Sequence, residues 1–561
     1  MHNVFFNTHT VTGIVISVGL YVIFIAGAFA LFQNNITNWE LNTAAKELSP
    51  SLDYDEILRK IESEGFQMYG RDFRIDLRED HGTYIRVFSN PPKYQLSKDT
   101  ISTLSYEDSL QYTKSIARFN YIIDPITYDL TPFNLRDNVN QKIGRLLTRL
   151  HYFQQIPVIG LFLSGFVSLF FLFAIVTGVI THWRKIISNF FTFRLKSSVK
   201  NLWTDAHTAL GILGLPYQFM YAVTGALFGL GAIILPISTL TFGNPAKAAE
   251  ILVPFIKSYE LQGETNDRVP INPLVEEVLS EISKKEIQKF QMLIKSYGDE
   301  NAHLDVIIDT ETQDDFVGQA YAVYSLSDGS LVSKEQHTES SFKTASYNYF
   351  TKLHFGNFGG YLLKGTYFLL ALLSCFVIIT GVMVWLTARD KQTYAHRAKF
   401  NKNVGAIYLG ACLGLYPAIV ILFIIAKALP LAVDGRYQLI NYIFFGFWLA
   451  YTIYAYFIKS PFKINTHALI VAGALGLLIP VLNGLQSGLW FWKSLGMGYS
   501  DSFFVDVSWL IMSVITLWIA YVVKPVSKKV PPLETPEEWP EDFKDDTIIS
   551  NPVLNINSKA R

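Results

Sequence analysis

Long apolar stretches alternate with two large polar segments along this chain. Eight runs are long and apolar enough to cross a bilayer as helices: roughly 10–32, 156–181, 208–238, 357–386, 404–429, 438–458, 465–487 and 503–523. About 20 such residues span the hydrocarbon core. A polar segment of about 120 residues separates the first two runs, and one of about 110 separates the third and fourth. After residue 388 only short loops intervene before a proline- and acid-rich tail, read as disordered.

Within the polar segments the period changes. The first has a helical pattern near 54–64, alternating strand-like runs near 72–77 and 83–89, then YIIDPITYDL. The second has a helical pattern near 273–284, strand-like runs near 289–296 and 303–309, then AVYSLSDGSLVSKE. Each closes on two β-rich runs joined at an Asp-Pro or Asp-Gly turn. The expected fold class is a mainly α membrane protein, an eight-helix transmembrane bundle with two small α+β external modules packed together.

Composition and charge add orientation and exclude one class. Lysine plus arginine balances aspartate plus glutamate at 47 each, so no basic surface argues for nucleic acid. Mean hydropathy is +0.25. Cys375 and Cys412 fall inside predicted spans and read as small buried apolar residues. Short loops carry Arg184, Lys185, Arg194, Lys196 and Lys200, then Arg389, Lys391, Arg397, Lys399 and Lys402. Positive loops face the cytoplasm, which places both chain ends inside and both polar segments outside. The first run has no lysine or arginine ahead of it and is too long for a signal-peptide core, so it is expected to be retained.

Residues 1–185 and 199–388 repeat one order. His9 and His207 each open an apolar run, with a glycine four residues on (Gly13, Gly211) and another eighteen on (Gly27, Gly225). His151 and His354 each follow a leucine and precede Thr177-Gly178 and Thr380-Gly381 by matched intervals. Both halves run the same way, so the repeat is parallel about an axis along the membrane normal. His9 should then face His207 near the cytoplasmic surface, and His151 should face His354 near the outer one. Two imidazoles on opposite faces of a macrocycle give six-coordinate haem iron, suited to electron transfer because no position stays open. Gly13 and Gly211 would let such a ring approach the backbone, as would Gly160 after His151 and Gly356, Gly359 and Gly360 after His354. Thr177-Gly178 and Thr380-Gly381 are read as small-residue packing sites between helices.

Competing readings accompany these residues. A histidine at a span end can be an interfacial residue, and a histidine pair can hold zinc or copper, although no carboxylate or thiolate stands near in sequence to complete the sphere. His182 lacks a repeat partner, since Trp385 takes its place, and reads as interfacial or as a spare ligand. His467 opens the seventh run alone, either a ligand or a quinone contact, or neither. Lys364, about ten residues into the fourth run, either snorkels outward or pairs with a haem propionate. His2, His81, His303, His337 and His396 lie in polar segments and are expected to be solvated.

A helix-plus-sheet module flanked by spans carrying Leu-His and Thr-Gly resembles the PepSY-associated transmembrane family, over about residues 5–390 and not over 400–525. Members include iron-regulated inner-membrane reductases of ferric siderophores that bind b-type haem. The resemblance implies two b-type haems with His9, His207, His151 and His354 as axial ligands. It implies a multi-pass protein of the bacterial inner membrane, and a ferric siderophore or other periplasmic ferric chelate as acceptor. No glycine-rich dinucleotide motif is present, so the electron donor is a cytoplasmic reductase or a membrane quinol.

The organisation expected runs as a first span (1–32), a PepSY-like module (33–150), a second span (151–183), a cytoplasmic loop (184–206) and a third span (207–240). A second module (241–352), a fourth span (353–388), a loop (389–402), four further spans (403–524) and the tail (525–561) follow. Two rival classes are a PepSY anchor that binds peptides or regulates a protease without redox activity, and a transporter. Neither needs paired intramembrane histidines, and the first four spans lack the acidic residues of a cation path.

Overall fold

The computed structural model describes residues 2–44, 50–78, 84–132, 141–192, 194, 198–243, 257, 259–281, 287–310, 319–335, 342–389 and 395–523. Among these, seven helices are long and apolar enough to cross a membrane: Asn3–Ala30, Gly160–His182, Gly360–Arg389, Lys399–Ala428, Arg436–Ile458, Pro461–Ser487 and Ser500–Val522. An eighth crossing, the third in chain order, is broken. Val199–Leu213 and Leu215–Gly231 meet at 71°. Pro216 explains the break, because it offers no N–H to the carbonyl four residues back and its ring crowds that carbonyl. The tail lies outside the described residues.

The first four crossings form a ring. The first packs on the second and fourth, and the broken third divides its partners: Val199–Leu213 lies on the fourth span and Leu215–Phe242 on the second. Gly165 and Gly229 mark the tightest of these crossings, where a Cβ on Gly165 would stand 2.7 Å from the Gly229 backbone. Small residues of this kind let membrane helices approach closely.

The two α+β modules are not separate. Their strands join into one antiparallel sheet of order β4-β3-β2-β1-β5-β6-β7-β8. The first half supplies β1 (Arg71–Arg78), β2 (Tyr84–Ser89), β3 (Phe119–Ile123) and β4 (Leu130–Pro132). The second supplies β5 (Ile287–Tyr297), β6 (His303–Thr310), β7 (Gln319–Ser325) and β8 (Leu331–Glu335). The seam is β1 against β5, with Ile75 opposite Met292. The strand order reads alike outward from it, which is the symmetry a parallel repeat demands. Alternate residues Phe73, Ile75, Leu77, Phe290, Met292 and Ile294 are buried on one face.

Two helices, Tyr54–Ser63 and Ile271–Ser280, cover that face and cap one another. Asp55 accepts from the Ile271 and Asn272 amides, each at 3.0 Å, and Asn272 Oδ1 accepts from the Tyr54 amide at 2.8 Å. Each thus satisfies donors that a helix start leaves open. Arg71, fully buried, ties the first half together by donating to the carbonyls of Gln67, Asn90, Ala117 and Ser115. Residues 33–41, expected within the first module, instead form a helix (Gln33–Leu41) packed on the last crossing, with Asn35 to Glu40 buried.

Candidate functional site

The repeat-related histidines meet in two pairs. The His9 and His207 ring centroids are 6.0 Å apart with an interplanar angle of 62°. Those of His151 and His354 are also 6.0 Å apart, at 49°. The first pair lies on the side away from the sheet and the second on the sheet side. His9 sits in the first turns of its span. His151 and His354 do not head spans, contrary to expectation. Each lies at or next to the end of a short helix, Ile143–His151 or Phe342–Phe355, which a turn separates from the span that follows. Gly356 and Gly360, with φ of 63° and 56°, make one of those turns in a region where glycine has no Cβ penalty.

Every one of the four imidazoles is held through Nδ1. His9 Nδ1 lies 2.8 Å from the Ala174 carbonyl, His151 Nδ1 2.8 Å from the Ile23 carbonyl, and His207 Nδ1 2.9 Å from the Val377 carbonyl. A carbonyl can only accept, so Nδ1 carries the proton and Nε2 keeps its lone pair. His354 reaches the same state by another route. Its Nδ1 is 2.8 Å from Thr224 Oγ1, whose own hydrogen goes to the Met220 carbonyl. All four rings therefore keep their lone pair on Nε2, the arrangement that outer hydrogen-bond partners give to metal-binding histidines in general.

The glycines explain how backbone carbonyls become available. Ala174, Val377 and Ile23 each precede a glycine by four residues: Gly178, Gly381 and Gly27. A helical Cβ tilts toward the N-terminus and stands over the turn before it, so a glycine uncovers the carbonyl at i−4. A Cβ on Gly178 would lie 3.0 Å from His9 Cε1, one on Gly381 2.9 Å from His207 Cε1, and one on Gly27 2.7 Å from His151 Nδ1. Thr-Gly was expected to serve helix packing; its glycine instead seats an imidazole. Gly225, the repeat mate of Gly27, departs from this, and a Cβ there would meet Ser168.

Open space lies beside the His9–His207 layer, whereas near His151 and His354 three glycines expected to admit a ring are packed against protein: Gly160 on Phe153, Gly356 on Tyr367 and Gly359 on Leu363. Nothing lies within 4 Å of a Cβ on Gly13, and for Gly211 only Val377 does, at 3.9 Å. With metal–nitrogen bonds of about 2 Å, two axial imidazoles have centres roughly 6 Å apart, as both pairs do. Among the described residues no group of three or more His, Cys, Asp or Glu is placed to hold a metal ion. From His9 to Ile23, against which His151 rests, is about 21 Å of helix rise, so both layers fit within a hydrocarbon core of about 30 Å.

The other singled-out residues divide. His182 ends the second span one turn beyond Gly178 and belongs by position to the His9–His207 layer. His467 bonds the Tyr454 hydroxyl through Nδ1 rather than facing another imidazole. Lys364 is only one turn into its helix, which begins at Gly360. His303, expected to be solvated, is buried and stacks on Tyr259 at 3.8 Å. Beside it in the same sheet, burial pushes the Asp305 carboxyl up to about 7 against the pull of Lys295 and Lys257. His81 and His337 lie outside the described residues. His2 and His396 lie in helices. Cys375 and Cys412 are buried free thiols.

The sequence reading passed over a buried polar cluster that links the helix Gln33–Leu41 to the last four crossings. Lys427 donates to the Trp39 carbonyl and Asn42, Asp506 accepts from Trp39 Nε1 and Asn483, and Asp501 accepts from Asn35 and Asn38. The signal was present: Lys427 and Asp506 sit inside apolar runs, where an ionisable group needs a partner or a task.

No curated protein matches the chain. The PepSY-associated TM region matches residues 6–388, about two thirds of the length and all four paired histidines, and stops before the last four crossings. The chain is a member of the PepSY-associated transmembrane family.

Proposed function

We propose that this protein carries electrons across the bacterial inner membrane through two b-type haems, one held by His9 and His207 and the other by His151 and His354. The observation that carries this reading is the double pairing, with 6.0 Å between ring centres in each layer and every Nδ1 already bonded. Bis-histidine haem supplies one-electron transfer without an open coordination position. The chain's own part is to fix the imidazole tautomers and to space the layers along the normal. It also keeps both layers in an apolar ring of four crossings.

The positive loops are on the side opposite the sheet, so His9 and His207 face the cytoplasm and the sheet is periplasmic. Electrons enter at the cytoplasmic layer from a reductase or a membrane quinol and leave at the layer beneath the sheet. The acceptor is a ferric chelate, and within this family a ferric siderophore fits best. Reduction to the softer, less charged ferrous ion loosens oxygen ligands. A peptide-binding anchor or a transporter gives the four histidines no work.

The test is a haem count by pyridine haemochrome on purified protein. Two per chain are expected. His9→Ala and His207→Ala should each remove the same haem, and His151→Ala and His354→Ala the other. Protein that stays colourless after reconstitution with haem sinks the reading, and losses that group His9 with His151 sink the pairing.

A further inference from the structure

The helix that carries His151 is not capped by its own sequence. Its first residue is Ile143, and Lys142 before it makes no side-chain cap. The Ile143 amide instead donates to Glu40 Oε2 at 2.8 Å, across 103 residues of chain. A carboxylate at a helix start satisfies an open donor and meets the positive end of the macrodipole. Glu40 is itself buried, and its other oxygen is held by Arg436 Nη1 at 2.5 Å. Arg436 opens the sixth crossing and also donates to the carbonyls of Ala426 and Leu429, where the fifth ends.

Further contacts reinforce the same path. Thr148 donates to Gln33 Oε1 at 2.6 Å, and Gly144 lies so close to Gln33 that a Cβ there would stand 2.5 Å from its carbonyl oxygen. Lys427, Asp501 and Asp506, all from the last four crossings, bind the helix Gln33–Leu41 that bears both Glu40 and Gln33. A mount, a clamp and a ligand helix therefore stand in series.

We infer that Glu40 and Arg436 are positioning residues for His151, and that the four C-terminal crossings serve as the rigid mount of the sheet-side histidine pair. Removing one member of the pair would leave a buried charge alone, which is costly in itself. The double variant Glu40→Met/Arg436→Met avoids this, since it removes both charges together with the oxygen that accepts from the Ile143 amide, at near-constant volume. The inference rests on the haem reading for one of its two readouts, so the second is independent of haem.

The first readout is the low-spin electron paramagnetic resonance signal and midpoint potential of each haem. In the double variant the sheet-side haem should be lost or shifted and the far-side haem unchanged. Arg436→Lys, which keeps a cation on Glu40, should restore the wild-type signature. The second readout is amide hydrogen exchange across residues 143–151, expected to rise about tenfold or more once the charged cap is gone. If both haems keep their signatures and exchange is unchanged, or if both haems vanish together, the mount is wrong. A colourless wild type whose exchange still rises in the variant overturns the haem reading and leaves the mount standing.

Discussion

Gly178 and His9 pack closely: a Cβ on Gly178 would stand 3.0 Å from His9 Cε1, so any side chain there would have to displace the ring. Gly178→Val should push the ring off the Ala174 carbonyl and free its tautomer. We expect haem content to fall from two to about one per chain, with the sheet-side haem retained. Gly381→Val should give the same result through His207, while Gly13→Ala, which meets open space in the protein without haem, should lose haem only by crowding the macrocycle itself. Difference spectra at fixed protein concentration decide this, and a Gly178→Val protein with two unperturbed haems would refute the seating role.

His182 shares a layer with the His9–His207 pair, yet those two rings already stand at the separation of a complete axial set. His182→Ala should keep both haems and shift the far-side potential by no more than a changed neighbour would. Loss of the far-side haem in that variant would make His182 a ligand.

Asp305 gives the sheet a pH dependence of unusual sign. Its carboxyl is pushed up to about 7 by burial, against about 3.9 in an unfolded chain. Between those values the folded state holds the extra proton, so stability falls as pH rises from about 4 to about 7 and levels off above. The loss is on the order of 2–4 kcal/mol at most. Hydrogen exchange in β6 and β7, corrected for intrinsic rates, should quicken from pH 5 to pH 8, and Asp305→Asn should flatten the curve. A flat wild-type curve would show that the carboxylate is solvated after all.

The crossing at Gly165 and Gly229 should tolerate no side chain. Gly165→Leu would force the second and third crossings apart, at a cost of about 1–3 kcal/mol, and lower the thermal midpoint in detergent. Gly231→Leu, where nothing lies within 4 Å of a Cβ, should leave the midpoint in place.

Much of this is legible in the sequence. The histidine spacing placed four side chains in two layers, because a parallel duplication makes equivalent residues face each other across its axis. Strands near 72–77, 83–89, 289–296 and 303–309 emerged within a residue or two of β1, β2, β5 and β6. The β1–β5 seam did not, since strand edges more than 200 residues apart carry no local mark of their partner. The break at Pro216 was visible as a residue and missed as a consequence. Gly178 and Gly381 read as helix-packing residues in the sequence, because only the packed structure reveals which neighbour fills the space a glycine leaves. Glu40 falls in the expected PepSY-like module of residues 33–150, because its Arg436 partner lies 396 positions away and leaves no local mark.

The seam at β1 and β5 has a bearing on how such a chain can be divided. Half of it, ending its sheet at β1, would display a raw row of amides and carbonyls along a central strand. The natural complement for that row is an identical half turned by 180°. A half-length version of this architecture would be driven to associate with its twin, and would complete neither imidazole pair until it had.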